Sequence, residues 1–438
     1  MHPCNAAGGG KVIFPAGKFL SGTVVLKDNV TLHFNKEAIL LGSTNVDDYK
    51  NLDPFTDGLG VDVGWALLVA VDAKNIGIEG EGSINGQGSK LKEEQIKTDS
   101  RPEGKRWGRR PFLLRIVRCN GVRIKDVTLN YSAAWTSHYF QSKNILIENV
   151  KIVSRGVPHN DGIDIDGCQD VRIKDGDINS GDDAICFKTT SSKMACSNIV
   201  VTGMKLKSSQ GAIKMGTESM AAFENIKISD CYIYETNNGG IKLLTVDGAH
   251  LRNIEISNIT MVEVKTPVLI RLGIPGYYIT DLTLENIDID LLGTGTLENS
   301  KQVVPEAIDK YPEVKTFGPT IPSYGVWARH VKGLKMININ FHLKNNDLRP
   351  AFIIDDGNDV TISNCRIPET SGAQSIIRLE NVEGATIGEN DIKGAASAFV
   401  QVEGGNSKNI KLQNNKIKGV KKKIEWAAGI KPDVSISH

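Results

Sequence analysis

The sequence predicts an all-β fold, a single-stranded right-handed parallel β-helix with about ten or more coils. Three observations lead to this prediction. A short strand-like motif returns many times along the 438 residues, apolar and polar residues alternate within it, and strong helical patterns are nearly absent.

The repeated motif is a polar residue followed by alternating apolar and polar residues. Copies begin at 121, 144, 170, 198, 225 and 253, so the steps are 23, 26, 28, 27 and 28 residues. Later copies begin at 333, 359, 384 and 409, with steps of 26, 25 and 25 residues. Alternation rich in Ile and Val predicts strands, and Asn, Gly, Asp and Ser at the junctions predict turns. A β-propeller needs about 40 residues per repeat, so the shorter period favours the β-helix.

Four neighbouring coils can be aligned with one another. Their sequences are DGIDIDG (161–167), DAICFKT (183–189), GAIKMGT (211–217) and GGIKLLT (239–245). The alternation of a strand places one column inside the coil: Ile163, Ile185, Ile213 and Ile241. It places the next column on one shared outer face: Asp164, Cys186, Lys214 and Lys242.

Two long segments interrupt the repeat within what we predict to be one β-helix domain, residues 1–438. They span about 88–111 and 291–325. Long loops on a scaffold of strands commonly build or cover a binding face. The first is rich in Lys and Arg. Two interpretations stay open for it, a solvated surface loop and a surface that binds an acidic substrate.

Composition excludes some classes of protein. With 52 Lys and Arg against 51 Asp and Glu, the net charge of +1 gives no global attraction to nucleic acid or anionic membranes. Seven cysteines without CxxC spacing indicate neither a zinc site nor a dense disulfide framework, and we expect buried free thiols. No apolar run approaches a membrane span, and Met1-His2-Pro3 does not resemble a signal peptide.

Three carboxylates form the strongest candidate site. Asp161 lies 22 residues before Asp183, which is close to one coil, so the two should be about 5 Å apart in one column. Asp182 lies in the adjoining turn, where alternation need not hold. Mutual repulsion should raise at least one pKa, and a protonated acid beside ionised carboxylates suits hydrolysis of a glycosidic bond. A calcium site and simple turn capping would use the same residue types, and both alternatives stay open.

Several longer stretches carry a family resemblance. HNDGIDIDG, SGDDAICFKT, SSQGAIKMGTES and GGIKLLT, together with GSINGQG at 82, resemble glycoside hydrolase family 28, the polygalacturonases and rhamnogalacturonan hydrolases. The resemblance covers nearly the whole chain and implies a β-helix of the pectin lyase type.

The resemblance implies a role for each acid. Asp161 matches the Asp of the family's NxDG motif, and Asp182 and Asp183 match its paired acids. Asp182 would be the general acid, while Asp161 and Asp183 would activate water, with inversion at the anomeric carbon. Lys242 matches the Lys of the family's RIK motif, which contacts the uronate. No metal or organic cofactor is implied.

Two positions depart from the family pattern. Gln210 stands where the GHG motif has His, and Gly240 stands where RIK has Arg. Gln cannot supply a titrating imidazole, and Gly cannot form the bidentate clamp that Arg makes on a carboxylate. These changes put ordinary polygalacturonan cleavage in question. Lys214 either replaces the lost charge or is merely solvated. The candidate substrate-binding residues are Lys242, Lys214, Gln210, Lys188, Asp164, His138 and Arg329.

The expected function is hydrolysis of an α-linked galacturonide or rhamnogalacturonide, with inversion and exo action, on a pectic polysaccharide or oligosaccharide. The alternatives are a calcium-dependent β-helical polysaccharide lyase and a degenerate polysaccharide-binding protein. We expect no nucleic-acid partner, no membrane span, a monomer or weak homo-oligomer, and a bacterial periplasmic or extracellular location. The family's N-terminal capping helix is expected to be missing, because the chain starts just after it, at CNAAGGG.

Overall fold

The structure is a computed structural model that describes residues 2–274, 276–306, 313, 314, 318, 320–430 and 432–437. The chain divides into two compact units, Met1–Ala222 and Phe223–His438, called the N-terminal unit and the C-terminal unit below. The part of the 291–325 insertion at 307–312, 315–317 and 319 lies outside the described residues.

Short strands make up most of the N-terminal unit. They are β1 (Gly10–Phe14), β2 (Gly17–Ser21), β3 (Val24–Val25), β4 (Val30–Phe34), β5 (Ala38–Gly42), β6 (Lys50–Thr56), β7 (Asp62–Val71), β8 (Lys74–Glu79), β9 (Ser83–Asn85), β10 (Phe112–Val117), β11 (Asn120–Lys125), β12 (Thr128–Asn130), β13 (Ser137–Phe140), β14 (Lys143–Glu148), β15 (Lys151–Ser154), β16 (Ile163–Asp166), β17 (Gln169–Lys174), β18 (Asp177–Ser180), β19 (Ile185–Thr189), β20 (Cys196–Thr202), β21 (Lys205–Ser208) and β22 (Gly211–Ser219).

These strands stack into three parallel sheets, because each coil contributes one strand to each sheet. One sheet contains β7, β10, β13, β16, β19 and β22 and is called the site sheet below. The second contains β4, β8, β11, β14, β17 and β20, and the third contains β5, β9, β12, β15, β18 and β21. The antiparallel pairing of β6 with β7 is an exception, and it forms a hairpin at the margin of the site sheet.

The aligned coils have the register that the sequence predicts. Ile163 is paired with Ile185, which is paired with Ile213, and all three are fully buried. Asp164, Cys186 and Lys214 form the neighbouring column. Burial of one aliphatic residue per coil on each sheet builds the core, at roughly 1.5–3 kcal/mol for each large side chain.

The C-terminal unit uses longer strands. They are β23 (Phe223–Tyr234), β24 (Gly239–Thr245), β25 (Leu251–Val262), β26 (Val268–Leu272), β27 (Ile279–Leu291), β28 (Val326–Leu343), β29 (Phe352–Ser363), β30 (Arg366–Ile367), β31 (Ser375–Gly388), β32 (Asp391–Ile392), β33 (Ala398–Glu403), β34 (Lys408–Gln413), β35 (Lys416–Ile417), β36 (Lys422–Trp426) and β37 (Val434–Ser437). They too pair in parallel, as in β23 with β25 and β25 with β27, and Ile241 is paired with Val268. The predicted right-handed parallel β-helix is confirmed, with about 12 turns and 7% helix.

Asn side chains mark the turns between strands. Asn144 and Asn253 have φ angles of 56° and 53°, in the left-handed region that Asn tolerates better than most residues. Each donates through its side-chain amide to an Asn of the coil before it, Asn120 and Asn225, at 2.7 Å and 2.6 Å. The Asn at coil starts therefore satisfies both the turn geometry and the stacking of coils.

The insertions contain helices where the sequence predicts only loops. Segment 88–111 forms α2 (Gly88–Thr98), α3 (Glu103–Arg106) and a 3₁₀ turn (Trp107–Arg109), and the second insertion contains α4 (Leu297–Ser300). The prediction of loop structure was wrong because the stretch KLKEEQIK is rich in good helix formers. A five-residue helix, α1 (His2–Ala6), precedes β1.

Two further expectations concern the thiols and the membrane. All seven cysteines are free, and six of them are buried. Among the described residues, none of the helices is both long enough and apolar enough to cross a membrane.

Candidate active site

The three acidic residues lie at turns that lead into two adjacent strands of the site sheet. Asp161 precedes β16, and Asp182 and Asp183 precede β19. Side-chain oxygens of Asp161 and Asp183 lie within 4.8 Å of each other and of the Cys186 thiol. Asp161 and Asp183 are buried, whereas Asp182 is partly exposed. The structure thus brings two carboxylates together below the surface, with a third beside them at the rim.

Backbone and hydroxyl groups fix the turn that carries Asp182. Its carbonyl oxygen accepts hydrogen bonds from the hydroxyls of Ser180 and Ser208, each at 2.6 Å. Its side-chain Oδ1 accepts from the backbone N–H of Asp183 at 3.0 Å. These bonds hold Asp182 where strand alternation no longer applies, so two consecutive acids can serve one site.

Lys214 lies against Asp183, contrary to the interpretation that it is merely solvated. Its Nζ is 3.0 Å from Asp183 Oδ2, and both side chains are only 3% exposed. The backbone N–H of Gly211 donates to Asp183 Oδ1 at 2.9 Å. Each oxygen of Asp183 therefore has a positively polarised partner, which favours the ionised carboxylate.

Asp164 and Lys188 belong to a second buried group next to the first. Lys188 Nζ is 3.2 Å from Glu218 Oε2 and 3.9 Å from Asp164 Oδ1, and it lies 4.6 Å from the centre of the Trp135 ring. Burial and nearby carboxylates raise the pKa of Asp164 to about 8, although Lys188 opposes this. Asp164 therefore keeps its proton at neutral pH.

The pKa of Asp161 also lies well above its usual range. Burial is the largest cause, and the carboxylates of Asp164, Asp182 and Asp183 add to it, while Lys188 opposes the shift. The repulsion expected from the sequence is thus present, and it acts on Asp161, one of the two buried acids of the three.

Two residues of this site have no signal in the sequence. Glu218 accepts a hydrogen bond from the backbone N–H of Gly58 at 3.1 Å. Asp57 accepts from the N–H groups of Leu59 and Val61, at 3.1 Å and 2.8 Å. Through these hydrogen bonds, Glu218 and Asp57 fix the tip of the β6–β7 hairpin beside Lys188. The contact joins residues 160 positions apart, so neither the repeat nor a local motif could reveal it.

His138 does not reach the candidate site surface. It is fully buried in an aromatic cluster with Phe55, Phe112 and Trp135, at ring distances of 5.1–5.5 Å. Burial lowers the pKa of His138 to about 4, although its contact with Asp166 opposes the shift. A neutral imidazole in this position supports the floor of the site sheet.

Lys242 and Arg329 lie in the C-terminal unit. Lys242 is fully buried, with Nζ 3.0 Å from Glu313 Oε1. Arg329 donates through Nε to Asp355 Oδ2 at 2.7 Å and lines a cleft of about 420 Å³. The other residues that line it include Lys301, Trp327, Asp355, Arg378, Glu380 and Glu403.

The basic insertion uses several of its charges internally. Arg110 is fully buried and pairs with Glu103 at 2.8 Å, and Arg106 pairs with the same carboxylate at 3.1 Å. Arg101 pairs with Asp99 at 2.6 Å. These pairs stabilise the helical segment. They argue against an open loop and also against a broad patch of unpaired cations.

Comparison with known proteins supplies the family. The model of Glycosyl hydrolases family 28 matches residues 4–303, which is more than half of the chain. The chain belongs to glycosyl hydrolases family 28.

Relatives of known description agree with this family. A probable polygalacturonase of Vitis vinifera is 28% identical over 237 residues, which cover 51% of this chain and 47% of the relative. Exopolygalacturonase X of Aspergillus niger is 28% identical over 243 residues, 53% of this chain and 51% of the relative. The chain spans about half the length of these curated relatives.

A solved structure agrees with the fold. The family 28 exopolygalacturonase of Yersinia enterocolitica matches with a TM-score of 0.56 and 18% identity, over 97% of this chain and 73% of that one. At this identity the likeness supports the β-helix and no more.

The two departures from the family 28 motifs have structural counterparts. A side chain at Gly240 would place its Cβ 2.7 Å from both Met261 Sδ and the Pro267 carbonyl oxygen, so an Arg does not fit there without rearrangement. Gln210 is partly buried, and its backbone N–H donates to Ser208 Oγ at 2.8 Å. Neither position therefore carries the Arg or the His of the family motifs.

The same carboxylates bear on the calcium alternative. Asp161, Asp183 and Cys186 are the group that the described residues offer as three closely spaced metal ligands. A cation among them would face the Lys214 ammonium, which already lies 3.0 Å from Asp183. A thiol is also a poor ligand for calcium, which prefers oxygen. These contacts make the site a poor fit for calcium.

Proposed function

We propose that this protein hydrolyses an α-glycosidic bond in a pectic polysaccharide or oligosaccharide, with inversion at the anomeric carbon. The observation that carries the proposal is the arrangement of Asp161, Asp182 and Asp183, in which two carboxyl groups are buried within 4.8 Å and the third is at the rim. Membership in family 28 supports the same reaction class.

Each carboxyl group has an environment suited to one step. Asp182 is partly exposed and its turn is fixed, so its carboxyl group can reach the leaving oxygen, and the family resemblance gives it the role of general acid. Asp183 is held in its ionised form and accepts a proton from the attacking water. Asp161, whose pKa is raised chiefly by burial, favours its neutral form and is placed to orient that water beside Asp183. General acid and base catalysis of this kind contributes typically 10²–10⁴-fold each.

We propose exo action on a galacturonide or rhamnogalacturonide outside the cytoplasm, by a monomer or weak homo-oligomer. An exopolygalacturonase among the relatives supports the mode of action. In the described residues, the buried Lys214 and Lys242 are already paired with carboxylates and position 240 has no side chain. A substrate whose reacting region carries less negative charge than polygalacturonan therefore fits better, which favours a rhamnogalacturonide.

A panel of pectic oligosaccharides tests this function. The protein is incubated with oligogalacturonides and rhamnogalacturonan oligosaccharides, and product identity and anomeric configuration are followed by ¹H NMR. We expect single sugars released from a chain end with inverted configuration and without absorbance near 235 nm. An unsaturated product would identify a lyase instead, and binding without cleavage of any member would identify a binding protein.

We further propose that Arg329 contributes to saccharide binding through the cleft of the C-terminal unit. Three cationic and three carboxylate side chains line it, together with Trp327, and this balance suits hydroxyl-rich ligands. Titration of the Asp182→Asn variant with oligosaccharides should quench tryptophan fluorescence saturably, less so after Trp327→Phe. The absence of a Trp327-dependent signal would contradict this role.

A further inference from the structure

Lys214 takes part in the charge balance of the buried site, a role that its place in the sequence motif does not explain. Seven ionisable groups of the N-terminal unit are buried close together, five carboxyl groups and two ammonium groups: Asp57, Asp161, Asp164, Asp183, Glu218, Lys188 and Lys214. Two of them form one ion pair, Lys188 with Glu218 at 3.2 Å, and two form another, Lys214 with Asp183 at 3.0 Å.

The remaining carboxyl groups, those of Asp57, Asp161 and Asp164, have pKa values raised chiefly by burial. Burial and neighbouring carboxylates raise the pKa of both Asp161 and Asp164. Each buried ammonium group is paired with a carboxylate and the remaining acids are shifted toward their neutral forms, which avoids the large cost of isolated buried charges. The pairing also decides which of the two neighbours, Asp161 or Asp183, is ionised.

We propose that Lys214 is a positioning residue that holds Asp183 as the ionised, water-activating carboxylate. The proposal rests on the hydrolytic function proposed above, and it assigns Lys214 to the reaction through Asp183 and not to contact with the substrate. Because the Lys214 ammonium lies 3.0 Å from Asp183 Oδ2, it favours the ionised base without a titrating histidine at position 210.

The other groups named around Asp183 differ from Lys214 in charge. Asp161, Asp164 and Asp182 are carboxyl groups and supply no cation, and Cys186, whose pKa is raised well above the usual range by burial, is a thiol. Lys188 is paired with Glu218. The N–H of Gly211 assists Asp183 but carries no net charge.

The test compares Lys214→Met with Lys214→Arg on the full chain. The pH dependence of kcat/KM is measured on the oligosaccharide that the panel identifies. We expect the acid limb to move up by about one to two pH units in Lys214→Met, because a neighbouring cation shifts a carboxylate by that amount. Lys214→Arg should retain most of the wild-type profile, and KM should change less than kcat.

A second measurement does not depend on turnover. Carboxyl carbons of ¹³C-labelled aspartate are titrated by NMR in the wild type and in both variants, with Asp183 assigned from Asp183→Asn. We expect the Asp183 signal to titrate at higher pH in Lys214→Met only. Arg349→Met, which removes a buried cation paired with Asp347 in the C-terminal unit, is the control for general destabilisation and should leave the signal unchanged.

The outcomes separate the two proposals. An unchanged Asp183 titration and an unchanged acid limb in folded Lys214→Met would overturn the role of Lys214. A shifted titration in a protein that cleaves no oligosaccharide would support the electrostatic role and overturn the hydrolytic function. If Lys214→Met does not fold, Lys214→Gln carries the same comparison, since it keeps a polar side chain without the charge.

Discussion

The protonation of one buried residue, Asp164, makes the stability of the folded protein depend on pH. Burial raises the pKa of Asp164 from its ordinary value of 3.8 to about 8 in the folded protein, so the folded state binds a proton that the unfolded state releases. A folded-state pKa that is raised for an acid means that stability is highest below the unfolded value and falls as pH rises. We expect this loss between about pH 4 and pH 8.

Replacing Asp164 with Asn should remove that part of the pH dependence. The melting temperature of Asp164→Asn should fall less than that of the wild type between pH 4 and pH 8. The exposed Asp290 supplies the control, because Asp290→Asn should leave the wild-type slope intact. Parallel slopes for wild type and Asp164→Asn, measured by circular dichroism, would count against a protonated Asp164.

The sequence could predict some residues of this site and not others. The coil spacing brings Asp161 and Asp183 into one column, and the structure has them there. Whether the outer face is covered is decided by distant segments, so the burial of Lys214 could not be read from alternation. Asp57 and Glu218 meet through the hairpin tip, a contact that no repeat encodes.

Among the elements, the Asn turns provide a direct test of how the coils are stacked. Asn144 is exposed, has a φ of 56° and donates to Asn120 at 2.7 Å. Ala in that position must adopt a left-handed conformation, at a cost of about 1–2 kcal/mol, and also loses the hydrogen bond. Asn144→Ala should therefore lower the midpoint of urea denaturation.

Gly is the matched variant at the same position. Asn144→Gly also loses the hydrogen bond but has no Cβ penalty, so it should lie between Asn144→Ala and the wild type. If Ala and Gly at position 144 destabilise the protein equally, the left-handed backbone conformation contributes nothing to stability. The hydrogen bond between the Asn side chains then stabilises the turn alone.

The insertions show where the sequence pattern fails to predict secondary structure. A search for period-two alternation assigns everything between coils to loops, whereas segment 88–111 contains α2 and α3. Their charged residues are good helix formers, and Leu91 is buried while most of the helix is polar. An 11-residue helix with so few buried positions gives a weak hydrophobic pattern, so local propensity was the better guide.

For the whole molecule, the regular repeat predicts one β-helix domain over residues 1–438. Strands in a solenoid are stabilised mainly by the coils next to them, and a single domain of this kind should unfold cooperatively. We expect one thermal transition that coincides by circular dichroism and tryptophan fluorescence. Two separated transitions would show that the N-terminal and C-terminal units unfold independently.

Fold class and family follow from features that recur along the chain, which is why the sequence alone predicted them. Substrate identity depends on single positions that do not recur. Gly240 removes a clamp, Lys214 is occupied by Asp183, and the cleft near Arg329 is built from segments far apart in sequence. The sequence and the structure therefore define the class of reaction better than they define the sugar of the substrate.

The proposed hydrolysis depends most directly on Asp182 as the group that protonates the leaving oxygen of the glycosidic bond. The most direct measurement is sugar release by Asp182→Asn compared with wild type, on the oligosaccharide cleaved best in the panel. We predict that release falls by at least about 10³-fold, because the general acid is lost, while the melting temperature and oligosaccharide binding stay close to wild type. Release at the wild-type rate by folded Asp182→Asn would show that Asp182 is not the general acid.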